Sequence, residues 1–190
     1  TDQAIVDTIV ARCPRTALDI GCGEGWLARA LTERGIQTIG VDVVPDLIER
    51  ATRAGAGEFR VASYEEIASG VLDVRVDVAV ANFAMIGKES VDSLVASAPN
   101  LVAAGGALII QTLHPVVATG DFPYKDGWRQ GSWAGFSSAF SDPAPWYFRT
   151  TQTWVDLIVR NGMRLVELRE PVHPISGKPA SMIFVAEAAG

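Results

Sequence analysis

A chain of 190 residues with 48% hydrophobic content is long enough for one well-buried core and short for two, so a single domain spanning 1–190 is expected. A net charge of −6 without any Lys/Arg cluster offers no footprint for a phosphate backbone, which argues against a nucleic-acid partner. The apolar runs are too short for a bilayer, no basic-then-apolar leader opens the chain, and Cys13 and Cys22 supply neither a disulfide framework nor a metal site, so a soluble, cytoplasmic, metal-free protein with no membrane partner is expected.

Ile5, Ile9 and Cys13 recur every four residues, which predicts an amphipathic helix over 2–13 that stops at Pro14. Apolar, often β-branched runs at 16–20, 36–42, 58–62, 76–82 and 106–112 then alternate with helix-compatible segments at 25–34, 45–54, 64–69 and 88–103. Strand, helix, strand with short links implies parallel pairing, right-handed crossovers and helices on both faces of one sheet. Gly35, Pro45 and Gly105-Gly106 punctuate the joints. Beyond 112 the rhythm gives way to a Gly-, Pro- and aromatic-rich stretch without regular pattern. A helix resumes at Thr150, with Trp154, Leu157 and Ile158 on one face and Asn161-Gly162 as its stop, and strands at about 163–169 and 181–187 complete the sheet.

The motif with the most chemistry lies at 17–25, Ala-Leu-Asp-Ile-Gly-Cys-Gly-Glu-Gly, where a buried strand turns through a loop into a helix. Glycines there let the backbone turn tightly and let a nucleotide-like ligand approach where a Cβ would collide. The spacing Gly21-x-Gly23-x-Gly25, with Asp19 just before it, differs from the G-x-G-x-x-G of nicotinamide-binding folds. Asp42 ends the second strand about twenty residues on, where a carboxylate accepts hydrogen bonds from ribose hydroxyls; its alternative is a cap on the following helix.

On these residues, over about 15–112, the chain resembles the class I S-adenosylmethionine-dependent methyltransferases, whose first motif reads D-x-G-x-G-x-G. The resemblance implies a Rossmann-like α/β fold with a seven-stranded, mostly parallel sheet of order 3-2-1-4-5-7-6, strand 7 antiparallel. It also implies S-adenosylmethionine as methyl donor and S-adenosylhomocysteine as product; no clustered acids follow the fourth strand, so no metal is expected. Asp19 then orients the methionine ammonium, the backbone of Gly21, Cys22, Gly23 and Gly25 lines the methionine and ribose, Asp42 takes the ribose, and Val43 meets the adenine. Ser63 and Tyr64 follow the third strand at the adenine position, where the family often has an acid; Ser63 is equally a helix cap in a capping box with Glu66. Asn82 and Phe83 end the fourth strand beside the methyl donor, in a sequence that departs from the N-P-P-Tyr motif of amino-directed nucleic-acid methylation. Asp77 reads as closing the entry to that strand.

The segments Thr112–Pro115, Gly127–Arg129, Tyr147–Thr150 and Glu170-Pro171 also resemble a bacterial subgroup of small-molecule methyltransferases. The aromatic stretch 113–149 reads as a lid over the carboxyl ends of the strands, with a satellite core or dimer contact as alternatives, so monomer and homodimer both stay open. Within it, Tyr124, Trp128, Trp133, Tyr147 and Arg149 are candidates to orient a small-molecule acceptor; Arg149 alternatively pairs with a neighbouring acid. His114, directly after the fifth strand, is the candidate general base, with a structural histidine as the other reading, and His173 reads as a loop residue. The expected activity is methyl transfer by positioning and desolvation. A non-catalytic cofactor-binding module and a nicotinamide-dependent oxidoreductase are the alternatives, the latter opposed by the glycine spacing and the lack of a Tyr-x-x-x-Lys pair.

Overall fold

Helix α1 (Asp2–Val10) turns Ile5, Val6 and Ile9 inward and ends before Cys13, whose φ of 50° breaks the helical stripe three residues earlier than periodicity predicts. The computed structural model describes residues 1–131 and 145–188. Strands β1 (Thr16–Ile20), β2 (Gln37–Asp42), β3 (Glu58–Val61), β4 (Val76–Asn82) and β5 (Val102–Leu113) run parallel, joined through α2 (Trp26–Thr32), α3 (Pro45–Ala54), α4 (Tyr64–Ala68) and α5 (Glu89–Leu101). After β5 come α6 (Pro115–Ala118), β6 (Gly127–Arg129), β7 (Trp146–Phe148), α7 (Thr151–Arg160), β8 (Met163–Arg169) and β9 (Ser181–Ala188). The large sheet has the order β3-β2-β1-β4-β5-β9-β8, with β9 antiparallel to both neighbours. That is the expected topology once β6 and β7, which form a separate antiparallel ribbon, are set aside.

Besides α1, and α6 within the stretch read as irregular, other elements differ from expectation. Strand β5 starts four residues early, at Val102, because Val76 pairs with Val102 before the register shifts to Val78 with Ala107, and Gly105, at φ 75°, absorbs the irregularity. The ribbon β6/β7 stands in a stretch read as irregular. Its strands of three residues are too short for periodicity to reveal, and cross-strand stacking supports them: Trp128 opposes Tyr147 with ring centroids 5.6 Å apart.

The sheet has a core on each face. Leu18, Ile20, Ala79, Ala81, Leu108, Ile110, Met182 and Phe184 face α5 and α7, where Leu94, Trp154, Leu157 and Ile158 are buried. Ala17, Val78, Val80, Ala107, Ile109, Ile183 and Val185 face α1 and α2, against Ile5, Ile9, Leu27 and Leu31. Asp19 registers with Val80, Val80 with Ile109, and Asn82 with Gln111. Since side chains alternate along a strand, Asp19, Asn82 and Gln111 all lie on the α1 face, at the carboxyl ends of their strands. Among the described residues no helix is long and apolar enough to cross a membrane.

Candidate functional site

The three loop glycines serve different ends. Gly21 (φ 71°) passes so close to the loop after β4 that an added Cβ would sit 2.4 Å from Ala84 Cβ, and one at Gly25 (φ 77°) would meet the Phe59 ring at 2.5 Å. Gly23 (φ 55°) has nothing within 4 Å of where its Cβ would be, so its bare backbone borders open space. The loop is pinned to β2 at two points. Gly21 and Cys22 N–H donate to Val41 O at 2.8 and 2.9 Å, and Gly23 N–H donates to Asp42 Oδ2 at 2.9 Å. Asp42 Oδ1 accepts from Val44 N–H at 2.9 Å, and Val44 itself is the N-cap residue of α3, so Asp42 does not cap that helix.

Asp19 is 1% exposed, and its Oδ2 has no hydrogen-bond partner among the described residues. Burial pushes its carboxyl up to about 7; the Ala28 amide partly offsets this, and the neighbouring Asp42 charge adds to it. Burial likewise raises the Cys22 thiol to about 12, with Asp19 and Asp42 reinforcing the shift, so Cys22 is a packed thiol and no nucleophile. Tyr64 donates its hydroxyl to Ala84 O at 2.9 Å, and burial raises it too, so it stays a neutral donor that braces the loop after β4.

A cavity of about 510 Å³ opens beside this loop, lined in part by Gly21, Asp42, Val43, Ser63, Phe83 and Ile86. It brings the Asp42 carboxylate, an apolar patch and the backbone of Gly21 to one place, a suitable lining for a nucleoside. Val43 is largely exposed there. Ser63 is the N-cap of α4, accepting from Glu66 N–H at 3.2 Å while Glu66 Oε2 accepts from Ser63 N–H at 2.8 Å. Its capping reading is thus realised, and it lines the cavity as well. Phe83 adopts φ 53°, a strained conformation for an aromatic residue, held by its N–H donating to Gln111 O at 2.8 Å. Asp77 Oδ2 accepts from Arg15 and Thr16 N–H at 2.8 and 3.0 Å; these bonds, led by Arg15, hold its carboxyl below the usual range. That role lies at the opposite end of the sheet from the cavity.

Toward β5 the polar groups continue. Asn82 Oδ1 and Gln111 Oε1 are buried without partners among the described residues, and Gln111 Nε2 donates to Ser181 Oγ at 2.8 Å. His114 is 5% exposed; its Nε2 lies 2.8 Å from Glu170 Oε1, and its Nδ1 is buried and unpartnered among the described residues. Gln111 and Ser181 sit inside apolar strands with nothing local to mark them. Glu170 is bound to a residue 56 positions away in the chain.

The aromatic candidates divide. Arg149 is 3% exposed and donates to Gly87 O, Lys88 O and Asp92 Oδ1 at 2.8–2.9 Å, stacked against Tyr147 and Trp154. It therefore takes the pairing role rather than presenting a free guanidinium to an acceptor. Tyr124 likewise spends its hydroxyl on Thr151, accepting from its N–H at 2.9 Å and bonding its Oγ1 at 3.0 Å. Trp128 is 53% exposed, while Tyr147 is half-buried, with its N–H donating to Ile86 O at 2.7 Å. The ribbon is thereby fastened to the β4–α5 loop that lines the cavity. Trp133 lies outside the described residues. Among the described residues no group of three or more His, Cys, Asp or Glu is placed to hold a metal ion.

Residues 18–110 match a family described as a methyltransferase domain. No curated protein sequence is detectably similar to the chain. Among solved structures, a Listeria monocytogenes protein described as a putative S-adenosylmethionine-dependent methyltransferase is 17% identical over 100% of this chain and 98% of its own, with a TM-score of 0.76. An S-adenosylmethionine-dependent methyltransferase from Mesorhizobium loti is 18% identical over 98% and 100%, with a TM-score of 0.73. A magnesium protoporphyrin IX methyltransferase from Synechocystis, solved with S-adenosylhomocysteine, is 16% identical over 99% and 82%, with a TM-score of 0.68.

Proposed function

We propose that this chain, whose residues 18–110 match a methyltransferase domain and whose fold is that of S-adenosylmethionine-dependent methyltransferases, is a class I enzyme of that kind, that its acceptor is a small molecule, and that the glycine loop with Asp19 and Asp42 holds the donor. The observation that carries the assignment is the pairing of an open glycine turn at Gly23 with an unpartnered buried carboxylate oxygen on Asp19. A ligand with a cationic ammonium and a nucleoside suits both.

In this reading Asp19 faces the methionine ammonium, Gly21, Cys22, Gly23 and Gly25 line the methionine and ribose with backbone, and Asp42 accepts from the ribose hydroxyls. Val43, Ser63 and Tyr64 border the adenine, and Asn82 and Phe83 the methyl end. When bound, the cofactor supplies a methyl group already activated by the positive sulfur. The protein's task is alignment, exclusion of water and handling of the acceptor's proton. His114 is the base: with Glu170 accepting from Nε2–H, its Nδ1 lone pair is the free one. No metal takes part. The net charge of −6 supports a small acceptor over a nucleic acid.

The chain acts as one domain, in the cytoplasm, as a monomer or homodimer, with the described parts of the 113–149 lid region, 113–131 and 145–149, beside the site; residues 132–144 lie outside the described residues. Attachment of Tyr147 and Arg149 to the loop lining the cavity supports the lid. Trp128 and Tyr147 offer it aromatic surface. Calorimetry with S-adenosylmethionine, S-adenosylhomocysteine and NAD tests the site: saturable 1:1 binding of the first two and none of the third is expected, and the reverse overturns it.

A further inference from the structure

We propose that Arg149 is a positioning residue for the transfer: through residues 83–88 it holds one wall of the cofactor cavity and the β6/β7 ribbon in a single arrangement, so that filling the cavity and fixing the ribbon support each other. This rests on the cofactor site proposed above and names the group that links it to the aromatic ribbon.

Residues 83–88 lead from β4 into α5. On one side Phe83, Ala84, Ile86 and Gly87 line the cavity that Gly21 and Asp42 also border. On the other side their carbonyls are bound by a distant part of the chain. Ile86 O accepts from Tyr147 N–H at 2.7 Å, Gly87 O from Arg149 Nη1 at 2.8 Å and Lys88 O from Arg149 Nη2 at 2.9 Å. Three consecutive carbonyls are thus held by the end of β7 and the residue that follows it. The segment has little else to fix it. Phe83 sits at φ 53°, a costly conformation that persists only where the surroundings over-determine it, and α5 begins without a side-chain cap.

Arg149 suits this task. It is 3% exposed, its guanidinium carbon lies 4.9 and 5.0 Å from the Tyr147 and Trp154 ring centroids, and Nη2 also donates to Asp92 Oδ1 at 2.8 Å in the first turn of α5. A planar fork stacked between rings and bonded to three acceptors has one orientation, so the carbonyls it binds are fixed with it. Arg149 does not line the cavity and acts through Gly87 and Lys88. A ligand resting on Phe83, Ile86 and Gly87 favours the arrangement in which Tyr147 and Arg149 hold the segment. By linkage, the clasp favours the ligand by the same factor.

Hydrogen exchange at single amides, read by NMR on the full chain with and without saturating S-adenosylhomocysteine, tests this at the Tyr147 N–H. In the ligand-free protein that amide is expected to exchange by local opening, faster than the core amides of β5, and to slow about tenfold when the ligand binds. The His173 N–H, bonded to Lys178 O at 2.8 Å in the β8–β9 turn, is the reference and should stay within about twofold. In Arg149→Lys the slowing should vanish, and S-adenosylhomocysteine affinity should fall by up to the same factor. Ile5→Ala, in the core on the opposite face of the sheet, lowers stability and should leave the slowing intact. An unchanged Tyr147 rate in the wild type overturns the proposal, and that comparison needs no variant. Full slowing in Arg149→Lys also overturns it, as does loss of the slowing in Ile5→Ala, since Arg149 would then act through stability alone. Failure of S-adenosylhomocysteine itself to bind the wild type overturns instead the reading on which the proposal rests.

Discussion

Gly23 N–H donates to Asp42 Oδ2 at 2.9 Å, so the acid at the end of β2 holds the turn that follows β1. One carboxylate thus shapes the glycine loop and faces the cavity beside it. Asp42→Ala should weaken S-adenosylmethionine affinity by roughly 1–3 kcal/mol, through lost charge-assisted bonds and a loosened loop. Calorimetry on the two proteins measures this, and unchanged affinity rejects the assignment.

Substitution at the loop glycines should separate folding from binding. At Gly21→Ala the new methyl meets Ala84 Cβ at 2.4 Å, so the protein should lose several degrees of Tm or fail to accumulate. Gly23→Ala meets no protein atom and adds only the strain of a positive φ, about 1–2 kcal/mol. Its expected defect is cofactor binding, read by comparing melting curves with and without S-adenosylhomocysteine.

Asp19 should make the ligand-free protein less stable than it need be. Its folded pKa, about 7, lies above the 3.8 of the free group, so the folded state binds the proton more tightly and stability falls as pH rises between these values. Asp19→Asn should therefore raise the Tm of the ligand-free protein at pH 8, by up to about 4 kcal/mol in stability, with the advantage shrinking toward pH 4. The same change should weaken S-adenosylmethionine binding at pH 8. A variant no more stable than wild type at pH 8 contradicts the account.

Arg149→Met leaves the carbonyls of Gly87 and Lys88 and the Asp92 carboxylate without their donor, at an expected loss of about 2–4 kcal/mol in stability. Arg149→Lys should rescue little, since one ammonium cannot reproduce the fork to three acceptors. Because Gly87 lines the cavity, cofactor affinity should fall as well, although Arg149 is not among the lining residues. Chemical denaturation and calorimetry report the two effects separately.

The chain has two histidines, and His173 is exposed in the β8–β9 turn, so nitrogen NMR resolves His114 directly. The neutral form of His114 should carry its proton on Nε2, and Glu170→Ala should shift it toward a mixture of tautomers. His114→Ala should lower turnover with cofactor affinity intact. A predominantly Nδ1-protonated ring in the wild type removes Glu170 as its positioning partner.

Most of the architecture was legible along the chain. Alternating apolar runs and the punctuation at Pro45 and Asn161-Gly162 announced a doubly wound sheet, and Gly21, Gly23 and Gly25 announced the tight turn between β1 and α2. These signals are short-range: the sign of φ, the side-chain period and a turn's need for glycine depend on residues a few positions apart. The ribbon of β6 and β7 escaped because three-residue strands carry no period.

The roles of individual polar groups depended on partners far away in the chain. Arg149 was open between an acceptor and a neighbouring acid until its guanidinium was placed on Gly87, Lys88 and Asp92, about sixty residues away. Gln111 meets Ser181, seventy residues away, and His114 had no defined tautomer until Glu170 met it. Whether a buried donor or acceptor is satisfied depends on which distant segments the fold brings within about 3 Å of it. The glycine turn is therefore readable from a nine-residue loop, whereas the partners of the buried polar groups are decided only where β1, β4, β5 and β9 come together.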